Sequence, residues 1–124
     1  MIVEILYFEG CPNHEPTRQL VERVSATLGV SPEIRMVEVP DIEAAQRLRF
    51  LGSPSVRVRG HDVEPGADDR RQFVLACRVY RLDSGTSGRP DEAWLRAALS
   101  STGDQFSPQG GEQRRELPAR VSKN

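Results

Sequence analysis

A chain of 124 residues, 37% hydrophobic and 28% charged, is long enough for one domain that buries about two-thirds of the surface its unfolded form exposes. A formal net charge of -1 excludes a bulk electrostatic pull toward nucleic acid or anionic lipid, and no stretch approaches the ~18 apolar residues of a membrane span. Two cysteines are too few for a disulfide framework.

Met1 to Phe8 carries Glu4 and lacks a basic start, unlike a signal or transit peptide, so the expected compartment is the cytoplasm. Thiols stay reduced there, and each cysteine is then either a core residue or a chemical group. Ile2 to Phe8 is otherwise a nearly continuous apolar run, which predicts a strand buried on both faces and hence central. After Cys11-Pro12, the residues Thr17, Leu20, Val21, Val24 and Leu28 recur at helical spacing, and Gly29 is placed as a left-handed cap. Pro16 predicts an irregular first turn if that helix begins at Pro12.

Ile34 to Val39 reads as a second strand. Asp41 is placed to cap a helix with Ile42, Ala45 and Leu48 on one face and Gly52 at its end. Two half-exposed strands follow, Ser55 to Arg59 and Leu75 to Arg81. In the second, Leu75, Cys77 and Val79 are expected inside, against Ala76, Arg78 and Tyr80 outside. The polar stretch Gly60 to Gln72 between them is a candidate functional loop. Asp91 to Ser100 is a last helix, with Trp94, Leu95, Ala98 and Leu99 on its apolar side. From Thr102 to Asn124 the periodicity stops, which predicts a disordered tail after a domain of residues 1–101.

The order βαβαββα, with right-handed crossovers, builds a four-stranded mixed sheet with helices on both faces. This is an α/β arrangement whose crevice for chemistry lies beyond the carboxyl ends of the parallel strands, where Cys11 follows the first strand. A thiol at the start of a helix meets free backbone N–H groups and the positive end of the helix dipole, which favour thiolate. Cys11 is therefore the leading candidate nucleophile, against the plainer reading of a small turn residue packed under the sheet.

The order of elements and the phrases YFEGCPNHEP, RFLGSPSVRV and CRVY, with the later Gly88, resemble the thioredoxin-like superfamily over residues 1–101. They look closest to short bacterial thioredoxin-like proteins that carry GCPN. The resemblance implies a cis Ser53-Pro54 peptide, with the Pro54 loop held against the active-site cysteine and presenting backbone to an extended substrate. Some members of the group are labelled alkylmercury lyases; that reaction needs a set of cysteines and a carboxylate, whereas the two cysteines here are far apart in sequence. Some relatives carry selenocysteine at the position matching Cys11, which implies redox chemistry there. The departure from ordinary thioredoxin is Cys11-Pro12-Asn13-His14, in which a histidine replaces the second cysteine of CxxC.

One-cysteine chemistry remains: attack on a peroxide or disulfide, a mixed disulfide or sulfenate on Cys11, and release by an external thiol. The partners this implies are a thiol or disulfide substrate and glutathione or a thioredoxin-type reductant. His14 is either a charged neighbour that lowers the thiol pKa or a solvated side chain. Cys77 is read first as an inert core residue and second as a resolving thiol. No cofactor is expected. Cys11, His14, His61 and Cys77 have metal-ligand chemistry but lack the close spacing that sets up a metal site. Arg57, Arg59 and Arg78 are expected on one outward face, as an anion or partner patch or as a solvated surface. Two functions stand against each other: a thiol-redox protein acting through Cys11 and Pro54, and a non-catalytic binding module on the same fold.

Overall fold

The first strand, β1 (Ile2–Tyr7), sends apolar side chains to both of its faces, Val3 and Ile5 to one core and Leu6 to another. That two-sided burial is what its unbroken hydrophobic run requires, and it places β1 centrally in the sheet. The computed structural model describes residues 1–100. Over these it is an α/β structure with α1 (His14–Leu28), β2 (Glu33–Glu38), α2 (Ile42–Arg47), β3 (Ser55–Val58), β4 (His61–Asp62), β5 (Tyr80–Leu82), β6 (Gly85–Ser87) and α3 (Glu92–Ser100). The tail expected over 102–124 lies outside the described residues.

The main sheet has the order β2-β1-β3-β4, with β1 parallel to β2 and antiparallel to β3, and β3 antiparallel to β4. Val3 opposes Val58 and Ile5 opposes Val56, so both pairs point into the core that α1 fills with Leu20, Val21 and Val24 and α3 with Leu95 and Leu99. On the opposite face, Leu6, Val39 and Phe50 pack with Ala44 and Ala45 of α2. Each fully buried Val, Leu or Ile side chain stabilises by about 1.5–3 kcal/mol. These layers, more than the two-residue β4 ladder, therefore hold the sheet together. No helix among the described residues is long and apolar enough to cross a membrane.

Local signals behave as their chemistry demands. Gly29 ends α1 at φ 73°, its N–H donating back to Ala26 O at 3.1 Å. Asp41 caps α2, its Oδ1 accepting from Ala44 N at 2.8 Å. α1 begins at His14 and not at Pro12, so Pro16 falls in the first turn, where an N–H has no helical partner to lose. α2 is shorter than its periodicity suggested. It ends at Arg47, and Ile42 is 62% exposed, not part of the inner face.

The largest correction concerns residues 75–81, which add no strand to the main sheet. Its fourth strand is β4, from within the polar stretch, while the backbone of 75–79 pairs only in an isolated parallel bridge between Cys77 and Ser53, just before β3. Regular pairing resumes at β5, which forms a separate hairpin with β6, so the observed order adds strands to βαβαββα. Leu75 packs against the Leu6, Val39 and Phe50 core and Ala76 is exposed, as expected, but from Cys77 to Tyr80 inside and outside are reversed. Arg78 is 4% exposed and Tyr80 fully buried, whereas Cys77 and Val79 face solvent. Arg78 therefore does not share an outward patch with Arg57 and Arg59. The reason is a set of buried partners that outweighs the alternation of hydropathy, described below.

Candidate functional site

At the end of β1 the chain turns sharply. Gly10 adopts φ 94°, and Cys11 N donates to Phe8 O at 3.2 Å, folding Cys11 back over the strand end. Asn13 is the helix cap residue, and the first helical bond runs from Thr17 N to Asn13 O at 3.0 Å. Cys11 therefore precedes the helix instead of lying in its first turn, and it is only 3% exposed.

His14 is tied to this turn through the backbone. Its Nδ1 lies 2.7 Å from the Cys11 carbonyl oxygen. Since a carbonyl only accepts, Nδ1 carries the hydrogen and Nε2 is left as the open nitrogen. The imidazole also stacks on Tyr7, with ring centroids 4.4 Å apart at 20°. The ring thus braces the peptide of Cys11 with its Nδ1 edge.

Beside this turn, the Ser53-Pro54 peptide is cis, and Pro54 is buried. Leu6 of β1 opposes Ser55 of β3, and two residues further on Phe8 N donates to Ser53 Oγ at 3.3 Å. The turn carrying Cys11 and the loop carrying Pro54 are thereby joined. A third segment closes in beside them: Gly88 lies so near Asn13 that a Cβ there would come within 2.3 Å of the Asn13 Nδ2.

Cys77 occupies the other flank of the Pro54 loop. Ser53 N donates to Ala76 O at 2.8 Å, and Arg78 N donates to Ser53 O at 2.9 Å. Ser53 thus contacts the segment of Cys11 through its side chain and that of Cys77 through its backbone. Both thiols are free; Cys77 is exposed, correcting the reading of it as a core residue. No group of three or more His, Cys, Asp or Glu side chains among the described residues is placed to hold a metal ion.

Sequence reasoning missed what fixes the Pro54 loop from below. Arg78 Nη1 donates to Asp62 Oδ2 at 2.7 Å and to Ser55 Oγ at 2.9 Å, and Nη2 donates to Glu64 Oε1 at 2.8 Å and to Asp62 Oδ1 at 3.1 Å. Its guanidinium lies 4.4 Å over the Tyr80 ring. Ser55 Oγ passes the chain on to Gly52 O at 2.6 Å, and the Tyr80 hydroxyl donates to Pro54 O at 2.6 Å. Burial disfavours the Arg78 charge, but the hydrogen bonds and charges around it, Asp62 foremost, hold its pKa above the ordinary arginine range. Burial also raises the Tyr80 phenol well above the usual tyrosine value. The signal in the sequence was the match between Asp62-Val63-Glu64 and Arg78-Val79-Tyr80, two runs with polar groups at alternate positions.

No protein-family model matches the chain, and neither a curated protein nor a solved structure matches it.

Proposed function

We propose that this chain is a thioredoxin-like thiol-redox protein in which Cys11 is the single reacting thiol. The observation that carries the reading is the junction at the end of β1, where the turn holding Cys11 is hydrogen-bonded to the cis Ser53-Pro54 loop. The sheet order and the helices on both faces support the thioredoxin-like part of it. The Cys11 thiolate attacks a peroxide oxygen to give a sulfenic acid, expelling hydroxide, or attacks a disulfide to give a mixed disulfide, expelling the other half as thiolate. An external thiol, glutathione or a thioredoxin-type reductant, converts the sulfenic acid to a mixed disulfide with loss of water, and a second thiol attacks the mixed disulfide, releasing Cys11 and leaving the external sulfurs as a disulfide. His14 holds the Cys11 peptide, Pro54 shapes the opposite wall, and the proposed setting is the cytoplasm.

The burial of Cys11 favours a second reading, a binding module on the same fold in which the thiol is packing. Mass spectrometry after graded peroxide and glutathione disulfide separates the two. Mass added on Cys11 in the native protein supports the redox protein; a Cys11 that reacts only after unfolding supports the binding module.

A further inference from the structure

Beneath the polar stretch, between the end of α2 and the β3–β4 hairpin, lies a cavity of about 80 Å³ that Cys11, His14, Pro54 and Cys77 do not line. Three guanidinium-bearing side chains, Arg49, Arg57 and Arg70, line it together with Phe73, Asp62 and Asp68. The charges do not cancel. Both oxygens of Asp62 are taken by Arg78, and Asp68 accepts from Asp62 N and meets His61 Nδ1 at 3.1 Å. Arg70 is paired with Glu64, a carboxylate it shares with Arg78.

Arg49 and Arg57, by contrast, have no carboxylate partner among the described residues. Arg57 spends Nη2 on the carbonyls of Leu48 and Arg49, at 2.7 and 2.9 Å, where it covers the negative end of α2. Its Nε and Nη1 make no hydrogen bond among the described residues. Arg49 holds φ 56°, which few non-glycine residues adopt, and its guanidinium rests 5.0 Å over the Phe73 ring. A planar cation stacked on an aromatic face keeps its N–H edges free, the arrangement that suits an oxyanion.

We infer that this cavity is a binding site for one small oxyanion, a phosphate group, held between Arg49 and Arg57 with Arg70 at its rim. The volume sets the class. A space of about 80 Å³ is on the scale of one small anion with its waters, well below the ~300 Å³ at which pockets for drug-sized ligands begin. The phosphate is either the free ion or the head of a small phosphomonoester whose remainder stays outside. This site is independent of the thiol chemistry proposed for Cys11.

The test is calorimetric titration of the full chain with inorganic phosphate and, separately, with glycerol 3-phosphate, in chloride buffer of matched ionic strength. Arg49→Asn removes the guanidinium while keeping a residue that tolerates left-handed backbone, and Arg81→Asn removes an exposed cation that does not line the cavity. Saturable binding that weakens tenfold or more in Arg49→Asn and is unchanged in Arg81→Asn is the expected result. Tighter binding of the inorganic ion identifies free phosphate as the ligand, and tighter binding of the ester identifies a phosphomonoester. Binding of neither above the chloride background, or equal weakening in both variants, overturns the site.

Discussion

Tyr80 donates its hydroxyl hydrogen to the Pro54 carbonyl across 2.6 Å, so the residue that opens β5 holds the loop that closes over the end of β1. Both groups are buried, so removing the hydroxyl takes the partner from a buried carbonyl. Tyr80→Phe should therefore cost about 1–3 kcal/mol, the range for leaving a buried acceptor unsatisfied. A urea melt reads this directly, and an unchanged midpoint would mean that the loop is held without Tyr80.

The same residue gives a pH dependence with a definite sign. Burial raises the folded-state pKa of the Tyr80 phenol above that of the unfolded chain. Its contribution to stability is full below the ordinary tyrosine pKa of about 10 and is lost as pH rises beyond it, because the unfolded chain gives up a proton that the folded one keeps. The stability advantage of wild type over Tyr80→Phe should narrow between about pH 9 and about pH 11. A constant difference across that window would contradict the burial of the hydroxyl.

Arg78 is the other support of the loop, and its removal strands Asp62, which is 3% exposed, as an unpaired buried carboxylate. Arg78→Met should destabilise by about 3–5 kcal/mol, the usual result of breaking one side of a buried ion pair. Pairing it with Asp62→Leu should restore part of that loss, since the stranded charge is gone. Chemical denaturation of the two single variants and the double variant measures the coupling, and simple additivity would show that the pair does not act as a unit.

Residues 75–81 show why part of this architecture was hidden in the sequence. The alternation of polar and apolar residues placed Leu75 and Ala76 correctly, but over 77–80 its phase came out inverted. Hydropathy assigns Arg78 to solvent; the structure buries it because Asp62 and Glu64, 16 and 14 residues away, supply carboxylates in the interior. That choice depends on partners distant in the chain. Signals that act within a few residues were legible: the Asp41 cap, the Gly29 terminus and the two-sided burial of β1. That the Cys11 turn and the Pro54 loop meet, through Phe8 N and Ser53 Oγ, was legible in the element order that brings β1 and β3 together, and the role of Gly52 was not legible at all.

Gly52 was expected to end a helix, yet its function is close approach. It has φ 120°, and a Cβ there would lie 2.9 Å from Arg78 Cβ and 3.2 Å from the Ala76 carbonyl oxygen. Backbone cannot yield as a flexible side chain can, so Gly52→Ala should cost on the order of 1–3 kcal/mol in strain. Gly88→Ala meets only the Asn13 side chain, which can rotate away, and should cost less. Thermal melts of the two variants rank them, and a reversed order would contradict the close packing of 76–78 on the Pro54 loop.

The two thiols differ in access, which allows the proposed chemistry to be tested one cysteine at a time. Cys77 is exposed and Cys11 is 3% exposed, so a maleimide should label Cys77 on native protein faster than Cys11. Hydrogen peroxide is small enough to reach a nearly buried sulfur. In a Cys77→Ser variant, peroxide followed by dimedone should trap a sulfenate on Cys11, and glutathione disulfide should add one glutathione there, released again by excess thiol. His14→Ala removes the hydrogen bond to the Cys11 carbonyl and the stack on Tyr7, and it should slow oxidation of Cys11 several-fold while leaving maleimide labelling of Cys77 unchanged. Circular dichroism of each variant confirms that the comparison is made on folded protein. Should Cys11 stay unmodified in folded Cys77→Ser protein under conditions that oxidise free cysteine, it is a packing residue, and the binding module becomes the account of the site.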